Sequence, residues 1–121
     1  MLKIINGLPE NVLGISAVGK ITGIDYETVL IPAIEKKLKE NKKIRLLYHL
    51  GSSFTGFDLS AMLDDAKLGM KHFSAWGKIA LVSDHQLINT FAKFFGYIMH
   101  GKIHIFKDVE LAEAKSWITE K

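Results

Sequence analysis

Lys78-Ile79-Ala80-Leu81-Val82-Ser83-Asp84 is followed by a helix-length segment from His85 to Tyr97 and then by Lys102-Ile103-His104-Ile105-Phe106, so the stretch from Gly77 to Asp108 reads as strand, helix, strand. The first run is short, apolar and closed by a turn signal, the last is a second such run, and together they make one β-α-β unit. If Gln86 to Met99 is helical at roughly 100° per residue, Leu87, Ile88, Phe91, Ala92, Phe94, Phe95, Tyr97, Ile98 and Met99 cover an arc of roughly 220°. Only Asn89, Thr90, Lys93 and Gly96 are left for water. A helix lying on one sheet needs a narrower stripe. Part of this face is therefore expected to touch something else: another helix, a partner chain, a lipid or an apolar ligand.

Upstream, Ile44 to Leu50 reads as a strand, followed by a loop Gly51-Ser52-Ser53-Phe54-Thr55-Gly56 and a helix capped by Asp58, with Phe57 placed to staple against Met62. On that helix Leu59, Met62, Leu63, Ala66, Met70 and Phe73 share one face. An earlier helix starts at Asp25, whose carboxylate is expected to cap it, runs to about Glu40 and is kinked or divided at Pro32. Before it, Leu2–Ile5 and Val12–Ile21 read as two strands joined in an antiparallel hairpin, with Gly14 and Gly19 inside the second suggesting a bulge or a close backbone approach. Asp108 is expected to cap a last helix carrying Leu111, Ala114, Trp117 and Ile118 on its apolar side. The order is β-β-α-β-α-β-α-β-α: an α/β fold with one mixed sheet of about five strands and about four helices. Residues 1–121 form a single domain.

With 121 residues, 48% hydrophobic and 24% charged, the chain can bury one core without staples. It has no cysteine, which fits a reducing compartment and removes thiol chemistry and thiolate metal sites. The opening MLKIINGLPENV breaks too early for a signal peptide, and no run approaches a membrane span, so the expected location is the cytoplasm, with room for peripheral contact at the inner membrane face. The net charge of +3 is concentrated in Lys36, Lys37, Lys39, Lys42, Lys43 and Arg45. Such a run suits a helix C-terminus and a solvated turn, or else a patch for anionic lipid. Nucleic acid is not expected, because no aromatic residues interleave the cations.

Motifs for catalysis are missing. Gly7, Gly14, Gly19 and Gly23 lack dinucleotide-loop spacing, and no G-x-S-x-G elbow surrounds Ser52, Ser53 or Ser60. Asp64 and Asp65 diverge by about 100° on a helix and read as a solvated face rather than a catalytic dyad. His100 and His104 would lie roughly 13 Å apart on a strand, too far for one ion and better suited to the solvent side of an edge. His49, His72 and His85 stand at no ligand spacing, so neither metal nor cofactor is expected. Ligands of open α/β sheets sit beyond the carboxyl ends of parallel strands. Here the loops 51–57, 83–86 and 107–109 would combine an apolar throat at Phe54 and Phe57 with hydroxyl and N–H groups for a polar head. Ser52, Ser53 and Thr55 could equally just satisfy turn bonds.

Several separated motifs fall into one pattern: Asp25-Tyr26 with Ile31-Pro32, Lys43-Ile44-Arg45-Leu46-Leu47, Asp64 or Asp65 followed by Lys67-Leu68-Gly69, Lys78-Ile79-Ala80-Leu81-Val82, and Phe106 with Glu113-Ala114 and Trp117. Their order and spacing resemble the SpoIIAA-like family of small bacterial proteins over nearly the whole chain. The resemblance implies a STAS-like α/β fold, related in architecture to the lipid-binding CRAL-TRIO domains. Anti-sigma-factor antagonists of this fold carry a phosphorylatable serine in an Asp-Ser-Ser-Gly-like segment at a helix start. Gly51-Ser52-Ser53-Phe54-Thr55-Gly56 and Asp58-Leu59-Ser60 depart from that motif.

The expected function is non-enzymatic: a binding or carrier domain for an apolar or amphipathic small molecule, able to work at a membrane surface. Phe91, Phe94, Phe95, Ile98 and Met99 would form its wall, Phe54, Phe57 and Met62 its facing side, and Lys93 and Lys102 its contacts to anionic membrane. The alternative is a regulatory protein-interaction module resembling the anti-sigma antagonists, docking through the second helix, with Ser52 or Ser53 as phosphorylation points. A homodimer seam would also cover the surplus apolar arc.

Overall fold

The computed structural model describes residues 1–71, 75–86, 88–90, 92–93 and 103–120, with residues 66 and 68–71 described in backbone only. Five strands, β1 (Leu2–Ile5), β2 (Val12–Ile21), β3 (Ile44–Phe57), β4 (Trp76–Ser83) and β5 (Ile103–Phe106), form one sheet in the order β1-β2-β3-β4-β5. The first pair is antiparallel and the other three are parallel, so the expected hairpin and β-α-β alternation are both present. Residues 23–38 form the helical run α1, made of an opening turn Gly23–Asp25, a π-helical turn Tyr26–Leu30 and an α-helical stretch Ile31–Leu38. Leu59–Lys71 is α2, the helical residues 86, 88–90, 92 and 93 lie in the crossover helix α3, and Leu111–Thr119 is α4.

Strand periodicity sorts the side chains into two cores. Leu13, Ile15, Ala17, Leu46, Tyr48, Leu50 and Leu81 point to one face, where Tyr26, Leu30, Ile34 and Ala61 of α1 and α2 meet them and Ile88 and Ala92 of α3 pack alongside. Val12, Leu47, Ala80, Val82 and Phe106 point to the other, covered by Ala114, Ile118 and Trp117 of α4. Each fully buried aliphatic side chain here contributes on the order of 1.5–3 kcal/mol. The sheet thus has its crossover helices on one side and its last helix on the other.

The bulge expected at the interior glycines is at Gly19, while Gly14 is crowded by side chains rather than by backbone. A Cβ on Gly14 would come within 2.6 Å of Leu8 Cδ1 and 2.8 Å of Ile5 Cβ, side chains of the hairpin turn and of β1. Gly19, at φ +66°, sits where the β2–β3 register shifts, a bulge that only a residue tolerant of the left-handed region accepts readily.

Three local readings are corrected. The first helix is capped by Thr22, whose hydroxyl accepts from the Asp25 N–H at 3.2 Å while Asp25 Oδ2 accepts from the Thr22 N–H at 2.9 Å. Asp25 is therefore the reciprocating third residue of a capping box, not the cap, and that N–H holds its carboxyl below the usual range. The division expected at Pro32 is present: it opens the main α-helical stretch, just after the π turn, where a missing donor costs least. Asp108 does not cap the last helix either: Glu110 accepts from the Lys107 N–H at 2.8 Å across a short 3-10 turn, Asp108–Glu110. The expected loop 51–56 is strand, because β3 continues past the β2 bulge to pair Phe54, Gly56 and Phe57 with Gly19, Lys20 and Ile21.

Helix α2 does start from Asp58, whose Oδ1 accepts from the Ala61 N–H at 2.7 Å. Its orientation differs from the apolar pattern: Ala61 is fully buried, while Leu59, Met62 and Leu63 are 71%, 52% and 53% exposed. The inner side carries Ala61 and Asp65, one turn apart, so the helix lies close on α1 and Leu59, Met62 and Leu63 are left outside.

Candidate functional site

Pairing between β3 and β4 ends at Leu50 and Ser83, yet β3 runs on to Phe57 against β2. This overhang reaches past the carboxyl end of β4 and brings three separate segments together, the position at which ligands bind in open α/β sheets. Phe54, 3% exposed, meets the His85 ring edge-on at 4.9 Å between centroids and the Phe57 ring at 5.0 Å. Phe57 in turn lies edge-on to Tyr26 at 6.3 Å and Tyr48 at 6.4 Å. The result is a continuous aromatic row from α1 to the mouth of the β4–α3 turn.

Polar groups close the row. The Ser83 hydroxyl, buried, accepts from the His85 N–H at 3.0 Å, and the Ser83 carbonyl accepts from Asn89 Nδ2 at 2.8 Å. That second bond fixes the amide of Asn89 so that its Oδ1 is the free end, and this buried oxygen has no hydrogen-bond partner. Across the mouth, Asp84 Oδ1 accepts from the Asp108 N–H at 3.2 Å, joining the ends of β4 and β5. Asp108 Oδ1 is also buried and without a hydrogen bond, 3.9 Å from His49 Nε2, too long for one. Burial first, then the neighbouring Asp84, pushes the Asp108 carboxyl up, against the opposing pull of His49 and His85. Asn89, expected to face water, is thus turned in, while Thr90 and Lys93 are exposed as the helix pattern implies.

At the other end of the aromatic row, the Tyr26 hydroxyl donates to Asp65 Oδ1 at 2.7 Å and lies 3.0 Å from the Tyr48 hydroxyl. Tyr26 has one hydrogen, already committed, so Tyr48 donates to it. Burial raises both phenols above their ordinary values. Asp65 is exposed as a residue with one oxygen turned in on the tyrosines; desolvation of its carboxyl raises its pKa, and the Tyr26 bond works the other way. Asp64 Oδ2 is buried without a partner. The pair is not the solvated face that its spacing suggested.

The structure therefore brings Phe54 and Phe57 together and adds Tyr26, Tyr48, His49, Ser83, His85, Asn89 and Asp108. Met62 stands on the exposed side of α2, and Phe57 packs on aromatic rings as the expected staple partner remains half in water. Lys93 is exposed on α3. Phe91, Phe94, Phe95, Ile98, Met99 and Lys102 lie outside the described residues, as do His72 and His100. His104 is exposed on the edge strand, stacked on Phe106 at 4.4 Å. Among the described residues no three His, Cys, Asp or Glu side chains gather into a metal-binding group. Strand alternation along Leu46, Tyr48 and Leu50 was the signal for Tyr48; nothing local marked Asn89 or Asp108.

The SpoIIAA-like family model matches residues 12–119. Among solved structures, an uncharacterized protein of the DUF3478 family from Shewanella loihica PV-4, with a SpoIIAA-like fold, is similar at 27% identity and a TM-score of 0.73, over 98% of this chain and 92% of that one. No curated protein matches the chain. The match spans β2 through α4, the elements that build the parallel sheet and its carboxyl edge, and the chain belongs to the SpoIIAA-like family.

Proposed function

We propose that this STAS-type domain is a non-catalytic binding or carrier domain for an apolar or amphipathic small molecule. One observation carries the reading: an aromatic row through Phe54 and Phe57 ends at the carboxyl edge of the sheet, beside buried oxygens of Asn89 and Asp108 that lack partners. An apolar wall leading to unsatisfied polar groups is what an amphipathic guest would complete. Among the described residues the Ser83 hydroxyl accepts from the His85 backbone N–H rather than pairing with an imidazole or carboxylate that could act as its base. Saturable fluorescence enhancement of the uncharged probe phenylnaphthylamine, weakened several-fold in Phe57→Leu, would support the reading. Enhancement that never saturates, or that Phe57→Leu leaves unchanged, would count against it.

Among the described residues no helix is long and apolar enough to cross a membrane, and contact with a bilayer would be peripheral. The exposed Lys93 supports such contact. Lys93→Glu should weaken binding to anionic vesicles at low salt, and equal binding by the two proteins would remove the membrane part of the proposal.

A second reading, a protein-interaction module, draws on a different observation. Ile24, Leu59, Met62 and Leu63 are all more than half exposed on the packed pair α1 and α2. Large apolar side chains gathered on one surface favour a macromolecular partner. Affinity capture that repeatedly recovers one regulator, and loses it in Met62→Lys, would move the weight to this reading.

A further inference from the structure

His49 and Asp108 meet on the α4 side of the sheet, away from the aromatic row. Alternation along β3 sends Tyr48 and Leu50 to the side of α1 and α2, and Leu47 and His49 to the other. The His49 ring lies over its own strand, since a Cβ on Gly51 would stand 3.6 Å from its Cε1 and Nε2. Asp108 opens the turn into α4 and its backbone is pinned. Its N–H donates to Asp84 Oδ1 at 3.2 Å, and the Glu110 N–H closes the turn on the Lys107 carbonyl at 2.8 Å. Asp108 Oδ1 is nonetheless buried and without a hydrogen bond, with His49 Nε2 3.9 Å away. The two side chains are 21% and 24% exposed, mostly shielded from water yet able to exchange protons with it.

Among the described residues, the charged groups around this pair come from each neighbouring element. Asp84 reaches Asp108 from the end of β4, and His85 acts on it from the turn that follows. The carboxyl of Glu110 accepts from the Lys107 N–H. Lys3 stands exposed in the same row of the sheet, two strands from His49 through Ser16. Helix α4 meets this face with Leu111, Ala114, Trp117 and Ile118, none of them charged. A neutral imidazole at this distance makes no bond, whereas an imidazolium carries a proton on both nitrogens and a charge that attracts the carboxylate.

We propose that His49 and Asp108 form an acid-closed latch: protonation of His49 draws its Nε2–H onto Asp108 Oδ1 and ties the central strand β3 to the turn that opens α4, across the end of β4. The latch stands apart from the carrier reading and holds whether or not a guest binds. Its window has two edges. As pH rises through the imidazole range, around 6.5, His49 loses its proton and the bond is lost. At the acid edge Asp108 takes up a proton and the attraction ends; burial first, then Asp84, push that carboxyl up against the pull of His49 and His85. The turn is held most firmly between the two.

Exchange of the Glu110 amide with solvent reports the latch, because its acceptor, the Lys107 carbonyl, does not titrate. The rate is measured by NMR and divided by the intrinsic rate at each pH. Protection is expected to rise roughly threefold from about pH 8 to about pH 6. His49→Gln, which cannot gain the charge, should abolish the rise, and Asp108→Asn should shrink it. Asp108→Asn keeps the shape of the side chain, so a smaller rise there reports the lost charge rather than a lost fold. His85→Gln removes the other imidazole and should leave the rise in place. A flat wild-type profile, a rise that survives His49→Gln, or a rise that disappears only in His85→Gln would overturn the proposal.

Discussion

Tyr26 is the residue whose replacement should be felt most. Tyr26→Phe takes the partner from the buried Tyr48 hydroxyl as well as from Asp65, and should cost about 1–3 kcal/mol in urea denaturation. Tyr48→Phe leaves the Tyr26–Asp65 bond in place and should cost only about 1 kcal/mol. The opposite ranking would mean that Tyr26 does not sit at the centre of the chain. Asp65 adds a pH signature. Its folded pKa is raised, so its contribution to stability is complete below the ordinary 3.8 and is lost as pH rises through the folded value. Asp65→Asn keeps an acceptor for Tyr26 and should therefore flatten the stability profile just above pH 3.8, seen as a smaller difference in midpoint across that window. None of this was legible from Asp64-Asp65 as a pair, because a helical wheel gives directions without saying which side another helix will occupy.

Elements carry their own tests. The last turn of α4 presents carbonyls to cations from the sheet: Arg45 Nη1 donates to Ile118 at 3.0 Å and also to Glu120, and Lys78 Nζ donates to Trp117 at 3.2 Å and lies 4.8 Å from its ring centre. Both charges sit at the negative end of the helix dipole. Arg45→Met should destabilise by about 1 kcal/mol and speed amide exchange in the last turn of α4 before it affects the sheet. Gly14→Ala, driven into Leu8 and Ile5, should cost about 1–3 kcal/mol and loosen the β1–β2 hairpin first. The strands of this fold were legible because each is a short apolar run between turn signals. The full length of β3 was not: Gly51-Ser52-Ser53 looks like a loop and falls where the β2–β3 register shifts, and it lies within the strand because Phe54, Gly56 and Phe57 pair again with Gly19, Lys20 and Ile21, far off in sequence. The inner side of α2 was misread for a related reason. Close packing on α1 favours the small Ala61, and hydrophobicity alone cannot express that preference.

Across the whole molecule, parallel strands in sequential order put α1, α2 and α3 on one face and leave α4 to close the other. Their carboxyl ends then converge where β3 overhangs β4, and the aromatic row and the partnerless oxygens follow from that convergence. Phe54 and Phe57 could be named from sequence because large apolar residues beside a strand end invite such a reading, whereas Asn89 and Asp108 acquire meaning only when β4 and β5 are neighbours. The central claim is that this edge holds an amphipathic guest. Native mass spectra of the protein purified from its own host, recorded before and after organic extraction, test it most directly. The account predicts a reproducible added mass that disappears on extraction, and a bare or merely doubled chain mass in both spectra would contradict it.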